Sequence, residues 1–354
     1  MSETLDVPQR IVEFIDSGRS FAAALVLQTD GSAPQKPGAR AVINEHGKIW
    51  GTVGGGSVEA ETQRRAIEAC DSKRVIVFDY SMEGAAVTDA EALCGGSMRI
   101  LIDPTAAKDR ACYAQAAEAL QRRERGVLLT IVRGGAETAP RWLSEQAVAS
   151  EAGFPGAEAI RSCLAHEAPQ LFVENPHDPD ARVEVLVEPA LPKPRLLIVG
   201  GGHVGQALAR QAAFLGFDVT VLDDRPEFAD PSLFPEGVAA RCGDIAREVA
   251  AFPMARDTYV AIVTRGHQRD AEALQACLRA PVAYVGMIGS RRKVALMRKD
   301  FIESGRATAE EFDRVFAPIG LPIGAVTVPE IAVSVAAQLI AIRRKGVAQG
   351  GKGP

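Results

Sequence analysis

Three features are missing from this chain of 354 residues, and each absence removes a class of function. The six cysteines, Cys70, Cys94, Cys112, Cys163, Cys242 and Cys277, show neither a CxxC pair nor any other metal-ligand spacing. A zinc site and a disulfide framework are therefore not expected, and the thiols should be free. No run of about 20 apolar residues occurs. The first segment, "MSETLDVPQRIVEFIDSG", is acidic where a secretory leader is basic. A cytoplasmic protein without a membrane partner is the expectation. Finally, there is no excess of positive charge, since the formal net charge is −5 and the pI is near 5.7. Nucleic acid is thus disfavoured as a general partner, while small acidic ligands can still be held locally.

What is present is ample apolar material, 47% of residues. At roughly 100–200 residues per domain the length calls for two or three domains. Apolar positions at Ile11, Val12, Phe14 and Ile15 within Pro8 to Gly18 have helical spacing, and "FAAALVLQ" reads as a buried strand. "ARAVINEHGKIWGTV" reads as a hairpin around "EHG", and "SVEAETQRRAIEAC" as a helix with Ser57 at its N-cap. "KRVIVFDY" and "SMRILIDP" add two strands. An Ala-rich helix from Thr105 to about Arg125, the strand "GVLLTIVR", a loop-rich segment and the strand "RVEVLVEP" are too sparse to build a core of their own and should complete the first domain.

"PALPKP", Pro189 to Pro194, reads as an extended linker. Beyond it come a strand at 195–199, a helix at 203–215, the strand "DVTVLDD", a loop region and the strand "TYVAIVT". A helix at 268–279, the strand "PVAYVGMIG" and a helix at 291–304 follow. That alternation is the pattern of a doubly wound sheet. The expected fold class is α/β: an N-terminal α/β domain (1–188), a linker (189–194), a Rossmann-like domain (195–345) and a flexible tail (346–354).

Two glycine turns carry the chemistry. Gly200, Gly202 and Gly205 form GxGxxG between a strand and a helix, and Asp223 ends the next strand 18 residues past Gly205. Glycines let the backbone approach a diphosphate, the helix start favours its charge, and a carboxylate can bond ribose hydroxyls. The same geometry accepts NAD(P) or another nucleotide or diphosphate, and the residues alone leave that choice open. His203 stands at the helix start, facing either the loop's ligand or solvent. In "TRGHQRD", Arg265 and His267 fall at the carboxyl edge of the sheet, and His267 is a candidate proton donor oriented by Asp270. Ser290, Arg291 and Arg292 in "GSRRK" suit a phosphate at the same edge. Earlier in the chain, Gly54, Gly55 and Gly56 precede Ser57 and Glu59 at another strand-to-helix turn, read either as an anion or pterin cradle or as a tight turn. Cys94 in "LCGG" is a candidate soft metal ligand or sulfur carrier, or else a small buried apolar residue.

As an ordered set, "GSAPQKPGARAVINEHGKIWGTVGGGSVE", "CGG", "LLIVGGGHVGQALARQAAFLGFDVTVLDDRPEFA", "TRGHQRD", "VGMIGSRRK" and "PIGLPIGAVTVPEIAVSVAAQLIAIRR" resemble the XdhC/CoxI family of xanthine dehydrogenase and carbon monoxide dehydrogenase accessory factors. The resemblance implies a maturation factor that binds molybdenum cofactor (molybdopterin) and helps a cysteine desulfurase to sulfurate it. The factor then delivers the product to a molybdenum hydroxylase such as xanthine dehydrogenase. The expected role is that of a chaperone rather than a turnover enzyme, and a homodimer formed through some surface is expected separately. The resemblance points to Gly54, Gly55, Gly56, Glu59, Cys94, the glycine loop, Asp223, His267 and Ser290 to Arg292. An NAD(P)-dependent oxidoreductase and a non-catalytic nucleotide sensor are the alternatives.

Overall fold

The structure, a computed structural model, describes residues 7–82, 96–150, 156–178 and 181–345. The chain divides into two compact units, Met1–Pro192 and Lys193–Pro354. Among the described residues, none of the helices is long and apolar enough to cross a membrane.

The first unit runs α1 (Val7–Asp16), β1 (Phe21–Asp30), β2 (Arg40–Asn44), β3 (Ile49–Gly51), α2 (Gly56–Ser72), β4 (Ile76–Ser81) and β5 (Ser97–Asp103). It continues with α3 (Arg110–Gln121), β6 (Gly126–Arg133), β7 (Glu137–Ser144), α4 (Glu145–Ser150), α5 (Ala157–His166), β8 (Gln170–Glu174) and β9 (Val183–Ala190). The strands form two antiparallel sheets, ordered β3-β2-β1-β5-β4 and β7-β6-β9-β8.

Strand β1 explains the layering. Its side chains alternate between faces: Ala22, Ala24 and Val26 join α2 in one apolar cluster, while Leu25 and Leu27 join Leu101, Val132 and Leu186 between the sheets. Helix α5 covers the far face of the second sheet through Ile160, Cys163 and Leu164. Arg40 crosses the interlayer: its Nε donates to Glu188 Oε1 at 2.9 Å and its Nη2 to Thr130 Oγ1 at 2.7 Å. Burial of this pair makes removal of either partner costly, about 3–5 kcal/mol. The segment expected to be loop-rich thus contains β7, α4, α5 and β8 and completes a sheet with its own core cluster.

The second unit runs β10 (Arg195–Val199), α6 (His203–Phe214), β11 (Asp218–Asp223), β12 (Ala239–Cys242), α7 (Ile245–Ala251) and β13 (Thr258–Ile262). Then come α8 (His267–Cys277), β14 (Tyr284–Met287), α9 (Arg291–Glu303), α10 (Ala309–Asp313) and α11 (Val328–Lys345). All five strands are parallel, in the order β12-β11-β10-β13-β14. The chain reverses its winding between β10 and β13, where ligands bind in open α/β sheets. Strand β10 sends Leu197 and Val199 to the face covered by α7, α8 and α9, and Leu196 and Ile198 to the face covered by α6 and α11. Val335 and Leu339 of α11 are fully buried in that second cluster, so the last helix covers the sheet. The region read as loop after Asp223 holds β12 and α7.

Candidate functional site

The glycine turn after β10 leads into a cleft of about 270 Å³ at the carboxyl edge of the parallel sheet. Gly200, Asp223, Asp224, Arg225, Ile245, Thr264 and the run Arg265 to Arg269 line it. Of the residues expected here, Gly200, Asp223, Arg265 and His267 meet at the cleft. His203, Ser290, Arg291 and Arg292 are exposed and do not line it.

Packing accounts for most of the glycines. A Cβ on Gly200 would sit 2.6 Å from the Val263 carbonyl oxygen, and φ there is +118°. A Cβ on Gly201 would run into the Phe228 carbonyl, and one on Gly205 into the Gly200 carbonyl. Gly202 is different: with φ −66° and nothing within 4 Å of a Cβ, neither backbone nor neighbours require glycine.

Asp223 is held by its own loop. Oδ2 accepts from the Gly201 amide at 2.8 Å and from Arg225 Nη2 at 3.0 Å. Oδ1 accepts from the Arg225 amide at 3.0 Å and from Arg225 Nε at 2.9 Å. Burial pushes the carboxyl up, but the Arg225 guanidinium and the two amides outweigh it and hold the group below its ordinary value. Arg225 also stacks on Phe228, its guanidinium carbon 3.8 Å from the ring centre. Asp224 is tied to Arg269 at 2.9 Å.

Asp270 is fully buried and does not orient His267. It accepts from Thr264 Oγ1 at 2.5 Å and pairs with Lys293 Nζ. Burial pushes its carboxyl up against the pull of both partners. It joins the cleft's Thr264 to the first turn of α9, a bracing role that spacing toward His267 did not suggest. Ser290 caps α9 by accepting from the Lys293 amide at 3.2 Å.

In the first unit Gly54, Gly55 and Gly56 all have positive φ, at 142°, 74° and 54°. They lead into α2, whose N-cap is Gly55 with no side-chain cap. Ser57, expected at the N-cap, is inside the helix, with its Oγ 2.5 Å from the Tyr80 hydroxyl. Glu59 turns back on the turn itself: Oε1 accepts from Thr52 Oγ1 at 2.5 Å and from the Val53 amide at 3.2 Å, bracing the loop. A Cβ on Gly54 would press on Pro34 and Val58 at 2.9 Å, whereas one on Gly55 meets nothing within 4 Å. Tyr80 and Thr52 were not singled out in the sequence, because only the fold brings them to the turn.

Cys94, expected as a metal ligand or sulfur carrier, lies outside the described residues. The five described cysteines are free thiols. Among the described residues no cluster of three or more His, Cys, Asp or Glu side chains could hold a metal.

Fold and sites thus define a two-unit α/β chain whose second unit is a Rossmann domain. The model of the XdhC and CoxI family matches residues 14–81 and that of the XdhC Rossmann domain matches 196–339, and the chain belongs to this family. A probable xanthine dehydrogenase subunit of Bacillus subtilis is 27% identical over 91% of this chain and 93% of its own length. The molybdenum cofactor insertion chaperone PaoD of Escherichia coli is 26% identical over 94% of this chain and 86% of its own. The E. coli protein YqeB is 39% identical over 43% of this chain, which spans only 28% of that protein's length. A crystal structure of a xanthine dehydrogenase from Bacillus halodurans has the same fold, with TM-score 0.74 and 22% identity over 98% of this chain and 96% of that one.

Proposed function

We propose that this protein is a maturation factor that binds molybdenum cofactor and hands it to a xanthine dehydrogenase-type molybdenum hydroxylase. The observation that carries the reading is the likeness to a molybdenum cofactor insertion chaperone across 94% of the chain, through both units rather than the Rossmann fold alone. The first glycine turn supports it. Three successive left-handed glycines open a helix of 17 residues without a side-chain cap, and the space at Gly55 is what a close-lying phosphate or pterin ring needs. When bound, the cofactor supplies the molybdenum centre. The chain's residues supply a cradle at Gly54 to Gly56, braced by Glu59 and flanked by Ser57 and Tyr80.

Cys94 is the proposed soft ligand or sulfur relay, receiving sulfur from a cysteine desulfurase, and the working assembly is proposed to be a homodimer. The test is to mix purified protein with released molybdenum cofactor, measure stoichiometry by molybdenum analysis and mass by light scattering, and then assay activation of an apo xanthine dehydrogenase. Near-stoichiometric loading and activation are expected. Cys94→Ala should keep its melting temperature and lose most activation. Full activation by that variant removes the thiol from the mechanism, and absence of cofactor binding rejects the reading.

A further inference from the structure

We infer that the carboxyl-edge cleft of the second unit is a phosphate or diphosphate site closed to the adenosine ribose of a dinucleotide, and that Arg225 is the residue that closes it. A carboxylate offers about four acceptor positions. At Asp223 the Gly201 amide, the Arg225 amide and the two Arg225 guanidinium nitrogens take all four, at 2.8–3.0 Å. The residue that bonds ribose hydroxyls in a dinucleotide site therefore has no acceptor left for them. Asp224 is no substitute, because its carboxylate faces Arg269. The backbone carbonyl of Phe228 also lies against Gly201, so part of the glycine turn is covered by protein.

What remains open is suited to an anion. The two acids of the cleft are each answered by an arginine, Asp223 by Arg225 and Asp224 by Arg269. Arg265, exposed in the same lining, has no ion-pair partner among the described residues, so its charge is open to an anion, whereas Arg269 is shared between Asp224 and Glu272. His267 lines the same cleft, the Thr264 hydroxyl is already spent on Asp270, and Gly202, two residues past the cleft's Gly200, has open space on its Cβ side. Charge-assisted contacts of this kind recognise phosphate oxygens and make no demand on a nucleoside.

The inference does not depend on the molybdenum cofactor reading. Pyrophosphate bound by a protein that ignores the cofactor would reject that reading and leave this one standing.

Calorimetric titration of the full chain with inorganic pyrophosphate and with ADP-ribose, and fluorescence titration with NADH, test it. Pyrophosphate should bind saturably, ADP-ribose no more tightly than pyrophosphate, and NADH without a nucleoside-dependent gain. Arg265→Gln should weaken pyrophosphate about tenfold or more. Arg225→Gln, checked for an unchanged circular dichroism spectrum, should free Asp223 and tighten ADP-ribose relative to pyrophosphate. Saturable binding of pyrophosphate that Arg265→Gln leaves unchanged overturns the inference. So does wild-type binding of ADP-ribose or NADH tenfold tighter than pyrophosphate, or no pyrophosphate binding at all. If Arg225→Gln does not fold, the wild-type comparison and Arg265→Gln decide.

Discussion

The two glycine turns look alike in sequence, each a strand, a glycine run and a helix, and each mixes glycines fixed by their neighbours with one that has open space, but what the fixed ones meet differs. At Gly200, Gly201 and Gly205 the missing side chains make room for the protein's own carbonyls. At Gly55 the missing side chain makes room for nothing in the chain, although φ is +74°. The second turn is cross-braced by Asp223, whose oxygens are spent on Gly201 and Arg225. The first is braced from behind by Glu59 through Thr52 and Val53, which leaves its open side clear. A glycine-rich motif therefore reports ligand contact only after the internal reasons for glycine have been subtracted.

The largest effects should come from the glycines packed against backbone. Gly205→Ala drives a methyl group into the Gly200 carbonyl and Gly201→Ala into that of Phe228. Backbone cannot swing aside as a side chain can, so each should cost about 3 kcal/mol in urea unfolding. Gly54→Ala in the other turn should also destabilise, by pressing on the side chains of Pro34 and Val58 at 2.9 Å and by holding alanine at φ +142°. Next in size is Asp223→Asn, which strips the partner from Arg225 and should cost about 2 kcal/mol at neutral pH.

That cost carries a pH signature. The folded carboxyl of Asp223 is held below its ordinary value of 3.8, so its stabilisation is complete above that value and fades as pH falls through it toward the lower folded value. An acid titration of unfolding free energy should show the wild type losing its advantage over Asp223→Asn in that window. Parallel curves would mean that the Arg225 brace adds nothing.

The parallel sheet was legible because its demands are local in sequence: continuous apolar strands, glycine at the first turn, an acid ending the second strand. The second sheet of the first unit was not, and its strands show why. Strand β8, "QLFVE", is half-buried along its whole length, and β7 carries Pro140 among mostly half-buried or exposed residues, so neither presents an alternating pattern. Strand β12, "AARC", is largely exposed for the same edge-strand reason. At the sites, spacing put Asp223 at the cleft but could not say where its oxygens point. Arg225, two residues on, takes them, and a side-chain direction of that kind is not encoded in spacing. Asp270 shows the same limit, since Lys293, which holds it, lies a whole helix and strand away in sequence.

The open glycine of each turn discriminates best between the two. Gly55→Ala has room for its methyl group but forces alanine to φ +74° with ψ −178°, a combination essentially reserved for glycine, at a cost of about 1–3 kcal/mol. Gly202→Ala has both room and an ordinary φ of −66°, so its stability should stay within about 0.5 kcal/mol of wild type. A neutral melting temperature combined with weaker pyrophosphate binding would make Gly202 the one glycine of the second turn kept for a ligand. Destabilisation by Gly202→Ala would instead mean that packing governs that whole turn, and the contrast with Gly55 would then rest on the first unit alone.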